Sequence, residues 1–246
     1  MAKHGKKYRA AIERIDADRL YAPKAGFALL KEVDAVRFDA TVEVAFRLGI
    51  DPRKADQMIR GAVSLPHGIG KTVRVAVVAG GDKAAEAREA GADHVGDDDL
   101  VELLGQGDLL SEIDSVIATP DMMGKLGRLG KVLGPRGLMP NPKSGTVTMN
   151  VGQAVSEIKA GRVEYRSDRN GNVHAVLGKC SFSAENLVDN YAALLGEIIR
   201  QRPSSAKGRY IQSVTISTSA SPGIPLDPSK SRDLLLDDED AAAATA

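Results

Sequence analysis

The chain has 246 residues, 33 Lys+Arg against 33 Asp+Glu, 43% hydrophobic residues, one cysteine and no tryptophan. That length holds two domains, or one large one, around a sizeable core, and a single cysteine excludes an intrachain disulfide and a cysteine-rich zinc site. No apolar run reaches the roughly 18–20 residues of a membrane span, the basic start lacks an apolar signal segment, and a reducing cytosol is the expected setting.

The zero net charge hides a segregation. Residues 1–60 carry 13 basic and 9 acidic side chains, residues 68–121 carry 4 and 12, and residues 122–156 carry 5 and none. A polyanion would meet basic zones early and at 122–156, with an acidic zone between them.

In chain order, residues 1–9, MAKHGKKYR, have no apolar periodicity and are expected to form a mobile basic arm. Residues 23–33 predict a helix, with Pro23 near its start and Phe27, Leu30 and Val33 at three-residue spacing. Residues 38–46 alternate, Phe38, Ala40, Val42, Val44 and Phe46 on one face and Asp39, Thr41 and Glu43 on the other, as in a half-buried strand. Residues 58–65 predict a second strand. After Pro66 the pattern changes: strands at 73–78, 94–95 and 115–118 alternate with helices at 82–90, 99–104 and one opening at 119–121, which implies a parallel, Rossmann-like sheet.

From Val151 the first pattern returns. A short helix ends at Gly161, strands at 163–165 and 173–176 are expected to form a hairpin around DRNGN, residues 168–172, and Ser183 caps an amphipathic helix reaching Arg200. A final strand is expected at 210–217. The predicted fold is α/β and α+β in two domains: a split α+β domain, residues 1–66 and 160–230, interrupted by an inserted Rossmann-like three-layer α/β domain, residues 67–159. Residues 231–246 read as a disordered acidic tail.

Few motifs carry chemistry. HGIGKT, residues 67–72, has Leu65 where a P-loop needs glycine, and its strand follows the loop rather than precedes it. The turn AGGDKA, residues 79–84, lacks the third glycine of a dinucleotide fingerprint and puts Asp82 where a pyrophosphate would sit. Asp97, Asp98 and Asp99 read as a solvated helix start, the four histidines are scattered singly, and Cys180 reads as a small hydrophobe. No nucleophile–base pair, metal or cofactor site is expected, so an enzyme is not.

Residues 124–145, GKLGRLGKVLGPRGLMPNPKSG, hold six glycines, three prolines, five basic residues and no carboxylate. Gly124, Gly127 and Gly130 share one helix face, Lys125, Arg128 and Lys131 another, and Leu126 and Leu129 a third that can anchor the segment. With Arg136 in the closing turn, this predicts a second cationic surface open to close backbone approach; the alternative is a basic solvated helix and loop without a partner. Phe38, Thr41 and Glu43 offer a ring, a hydroxyl and a carboxylate beside the arm. The ring either stacks on a base or is an ordinary core phenylalanine. Arg166, Arg169 and Lys179 add charge for phosphates, and His174 is either a surface polar contact or a satisfied strand histidine.

The run MGKLGRLGKVLGPRGLMPNPK, residues 123–143, closely resembles the signature of the bacterial ribosomal protein L-one family, carried on the mobile stalk of the large subunit. FDATVEV at 38–44, LGIDPR at 48–53, RGAVSLPHG at 60–68 and GNVH at 171–174 extend the resemblance over nearly the whole chain. It implies the split-domain architecture and a structural role without catalysis or cofactor, in the cytoplasm on the ribosome. The implied partners are the stalk region of 23S rRNA, the exit-site tRNA whose release the stalk accompanies, and the messenger of its own operon, whose translation it represses. By the same resemblance Phe38, Thr41 and Glu43 fall in the RNA-contacting strand, and Arg169, His174 and Lys179 at or near a second contact region. The family pattern after the last strand, Ser-Thr-Thr-Met-Gly, is here Ser217-Thr218-Ser219-Ala220-Ser221, so Ser219 keeps a hydroxyl while the methionine and glycine are lost. The competing readings are a nucleotide-dependent enzyme on the inserted domain and a protein-binding scaffold using the acidic zone.

Overall fold

A computed structural model describes residues 5–16, 18–34, 36–54 and 56–228. In chain order they form α1 (Lys6–Glu13), α2 (Pro23–Val33), β1 (Thr41–Leu48), β2 (Arg60–Ser64), β3 (Val75–Val78), α3 (Asp82–Glu89), β4 (His94–Gly96) and α4 (Asp98–Gln106). Then follow β5 (Ser115–Ala118), α5 (Met123–Leu126), α6 (Gly130–Leu133), α7 (Val151–Lys159), β6 (Arg162–Arg166), β7 (Asn172–Lys179), α8 (Ala184–Arg200), β8 (Ile211–Thr218) and β9 (Ile224–Leu226). The chain divides into two compact units, one holding the described residues up to Ile59 with Leu65–Gly70 and those from Tyr165 onward, the other Arg60–Ser64 and Lys71–Glu164.

The first unit is an antiparallel sheet in the order β7-β1-β8-β9, backed by α2 and α8. Strand β1 alternates as its sequence dictates, with Val42, Val44, Phe46 and Leu48 buried and Glu43 and Arg47 exposed. The buried face meets α2 and α8 around Tyr191, whose ring stacks on Phe46 at 5.9 Å and meets Phe27 edge-on at 5.9 Å. Helix α2 starts on Pro23, whose fixed φ and missing N–H suit the first helical position, and α8 on Ser183, whose hydroxyl accepts the Asn186 N–H at 3.1 Å.

The second unit contains a parallel sheet in the order β4-β3-β5. Ala76, Val78, Val116 and Ala118 face one core with Leu104, Leu126 and Leu133, and α3 and α7 are the helices packed against the sheet outside that cluster. A short ribbon pairs β2 with β6.

Four expectations need correction. The strand begins at Thr41, not at 38; Phe38 precedes it and is 62% exposed, so it is not a core phenylalanine. Residues 6–9 open helix α1 instead of a loose arm, because Ala10 and Ala11 supply helix propensity and Ala11 is buried, a signal that apolar periodicity does not register. The Asp168–Asn172 turn forms, but β6 pairs with β2 and β7 with β1, and only the bridge between Ser167 and Val173 joins the two arms. Strand β9 was not expected: Pro225 hides it, yet proline is admissible on this edge strand while Ile224 and Leu226 point inward. The tail at 231–246 lies outside the described residues.

Candidate nucleic-acid interface

The face of the first unit's sheet turned away from α2 and α8 is polar. Glu43 lies between Val176 and Ser217, Ala45 between His174 and Thr215, and Arg47 between Asn172 and Ser213. Glu43, Arg47, His174 and Ser213 are exposed. Such a row presents a carboxylate, an imidazole, a guanidinium and hydroxyls on one pleated surface, with no apolar side chain large enough to demand cover.

At one edge three of the expected residues meet. Lys179 Nζ donates to Thr41 Oγ1 at 2.8 Å, the Ser219 N–H donates to Thr41 O at 3.1 Å, and the Thr41 N–H donates to Ser219 Oγ at 3.3 Å. A β-bulge places Lys179 there: Val42 pairs with Gly178 but Glu43 with Val176, so Leu177 is the extra residue. The approach to the strand is fixed by Asp39, which accepts from the Ser181 N–H at 2.9 Å and its hydroxyl at 2.8 Å. Phe38, one residue earlier, is exposed beside it. Ser221, which stands where the family pattern has glycine, accepts the Thr218 N–H at 2.8 Å and donates to Pro222 O at 3.0 Å, so its hydroxyl closes the turn that carries Ser219.

His174 and Arg169 belong to the other end of β7. The turn between β6 and β7 is held by Asp168, whose Oδ1 accepts the N–H groups of Asn170 at 2.8 Å and Asn172 at 2.7 Å. Burial opposes ionisation of Asp168, but these donors, the Asn172 amide and nearby His174 outweigh it and hold the carboxyl below its ordinary 3.8. Its stabilisation is therefore complete above that ordinary value and is lost as pH falls through the lower folded value. Asp168→Ala should lower the urea midpoint at pH 7, with the difference from wild type shrinking as pH drops below about 4. An equal difference at both pH values would contradict this.

Sequence reading missed a neighbouring feature. A cleft of about 660 Å³ is lined by Arg47, Lys54, Lys207 and Arg209, with Asn170 and Gln212, and holds one carboxylate, Asp51. Its cations come from two distant stretches, residues 47–54 and 207–209, so no local run of charge announces it.

In the second unit the glycine-rich segment winds from Pro120 to Leu133 as alternating 3-10 and α turns, not the single helix expected. Leu126 and Leu133 are fully buried and anchor it. Arg128, Lys131 and Arg136 are exposed, and among the described residues no carboxylate lies within ion-pair distance of them. Lys125 differs: its Nζ lies 2.5 Å from Asp98 and 3.6 Å from Asp97, contacts that raise its pKa. The first βα turn is acidic on both sides, since Asp82 opens α3 and a Cβ on Gly80 would lie 3.2 Å from Asp97 Oδ2. A nucleotide phosphate there would meet two carboxylates, one of them already paired with Lys125.

Residues 30–222 match the family described as ribosomal protein L1p/L10e, a span that takes in the polar face and the glycine-rich segment together. The chain belongs to this family. The large ribosomal subunit protein uL1 of Kitasatospora aureofaciens is 60% identical over 240 residues, covering 98% of this chain and 99% of that protein. That of Thermobifida fusca is 60% identical over 231 residues, covering 94% and 97%. That of Streptomyces coelicolor is 57% identical over 242 residues, covering 98% and 100%. Family membership makes the chain a ribosomal protein and not an enzyme.

Proposed function

We propose that the chain is a structural protein of the large ribosomal subunit that binds the stalk region of 23S rRNA through the open face of the β7-β1-β8-β9 sheet. The observation that carries this reading is the meeting of Thr41, Lys179 and Ser219 at one edge, beside the exposed ring of Phe38. A ring stacks on an unpaired base, hydroxyls and Glu43 exchange hydrogen bonds with 2′-hydroxyls or exocyclic amines, and Lys179 meets a phosphate. Arg169 and His174 extend the contact along β7. The protein works in the cytoplasm as part of the ribosome.

Two further activities belong to the same proposal. Exit-site tRNA is met by the positive charge of the second unit, at Arg128, Lys131 and Arg136, as the stalk accompanies its release. Free protein represses its own operon by holding a messenger structure on the face that otherwise holds rRNA. One face serving two RNAs makes them mutually exclusive. In a translation extract, added protein should silence the operon's leader, and the rRNA stalk fragment should restore synthesis. Restoration by an unrelated RNA of equal length, or none by the stalk fragment, would count against a shared face.

The glycines of the second cationic surface support a contact role because nothing inside the unit needs them. A Cβ at Gly124, Gly127 or Gly130 would meet no atom within 4 Å, and the φ angles of −56° and −55° at Gly127 and Gly130 suit any residue. Gly127→Ala should therefore raise stability to urea by about 0.5–1 kcal/mol. A destabilised variant would show that the glycine serves the fold.

A further inference from the structure

Lys179 reaches Thr41 from a strand end that is itself held from behind. Its neighbour Phe182, three residues on, donates its N–H to Lys179 O at 3.0 Å, and its own carbonyl accepts Lys31 Nζ at 2.6 Å. The ring occupies a slot between two glycines from distant parts of the chain. A Cβ on Gly178 would lie 2.9 Å from the Phe182 ring, and one on Gly70 would lie 2.8 Å from that ring and 3.0 Å from Lys179 Cγ. Gly70 also has a φ of +68°, which an L side chain adopts only under strain. Gly178 is the first residue after the bulged Leu177, so the ring presses on the point where β7 is redirected toward Thr41. Gly70 ends Leu65–Gly70, the segment of the first unit from which the chain leaves for Lys71 and the second.

We infer that Phe182, seated between Gly70 and Gly178, is a positioning residue for RNA binding, holding the bulge and the Lys179 stem so that the ammonium stays at Thr41. Phe182 need not touch RNA. Lys179 has four rotatable side-chain bonds, and a stem packed against Gly70 with its head on a hydroxyl has already lost much of the freedom that binding would otherwise remove. The segment leading to the second unit is thereby part of the RNA-reading edge, although none of its residues lies on the open face. The inference rests on the proposed rRNA face.

The test is a double-mutant cycle on the full-length protein, read as affinity for the folded 23S stalk fragment over a range of salt. Phe182→Ala should weaken binding about tenfold and flatten the dependence of log affinity on log salt by about one contact's worth. In a Lys179→Ala background it should add almost nothing, because the group it positions is gone. Gly70→Ala should reproduce the loss, and Phe182→Leu, which refills part of the slot, should recover most of the affinity. If Phe182→Ala does not fold, Gly70→Ala takes its place in the cycle with Lys179→Ala. Additive losses from Phe182→Ala and Lys179→Ala, or a folded Phe182→Ala with wild-type affinity and salt slope, would overturn the positioning role while leaving the face intact. Wild-type binding by Phe38→Ala, Thr41→Val and Lys179→Ala alike would instead overturn the face.

Discussion

Phe38→Ala is expected to weaken binding to the folded stalk RNA by about tenfold to a hundredfold while leaving the thermal midpoint unchanged. Base–aromatic stacking contributes about 1–3 kcal/mol per base, which sets that range. The ring is 62% exposed and precedes the first residue of β1, so it has little core packing to lose. Thr41→Val tests the neighbouring contact, since it keeps the strand-favouring branched shape and removes only the hydroxyl that accepts from Lys179 at 2.8 Å. The double variant should be folded, by far-ultraviolet circular dichroism and thermal melting, and should retain only weak, salt-sensitive binding. A folded double variant with wild-type affinity would remove this edge from the interface.

The largest stability effect is expected at Asn190. It is fully buried in α8, and its side chain satisfies three backbone groups. Oδ1 accepts the His67 N–H at 3.0 Å, and Nδ2 donates to Gly68 O at 2.9 Å and Leu177 O at 2.7 Å. One amide thus ties segment 65–70 to the bulge of β7. Asn190→Ala leaves the buried Leu177 O and the part-buried His67 N–H and Gly68 O without this partner, each costing about 1–3 kcal/mol where water does not reach it, so a loss of about 2–4 kcal/mol is expected. Equilibrium urea unfolding measures it. Asn190→Asp keeps the acceptor for His67 and converts the donor to a carboxylate facing two carbonyls, so it should be no better. A loss below about 1 kcal/mol for Asn190→Ala would show that water takes over these bonds.

Much of this was legible where a single local cause decides the outcome. Helix α2 occupies residues 23–33 and β5 residues 115–118, as the sequence predicts, because a proline at the first helical position and a short apolar run leave no competing structure. The Asn-Gly turn after Asp168 was also legible, but which strands its arms join was not. Turn chemistry fixes four residues, whereas the partners of β6 and β7 come from β2 and β1, more than a hundred residues away. The same limit applies to the candidate site. The composition of 38–43 pointed to a contact strand, yet Lys179 and Ser219 join Thr41 only through the register of β1 with β7 and β8. The cationic cleft at Arg47 depends in the same way on two stretches, 47–54 and 207–209, that lie far apart in the chain.

Two signals were present and unread. Asn190 interrupts the apolar stripe of α8 between Leu187, Tyr191 and Leu194, and a buried amide on such a stripe implies backbone groups in need of partners. Ser221, which looked like a loss against the family pattern, supplies a hydroxyl that closes the turn after β8. The change after Thr218 therefore exchanges a bare backbone for a side-chain bond and keeps Ser219 beside Thr41.

Affinity for the folded stalk fragment of 23S rRNA, compared with a scrambled RNA of equal length at low and at moderate salt, tests the central claim most directly. Readout by the open face predicts a preference for the stalk that survives added salt, because hydrogen bonds and stacking do not depend on counterion release. Equal binding to both RNAs, vanishing together as salt rises, would contradict it and leave only the attraction between a basic surface and a polyanion.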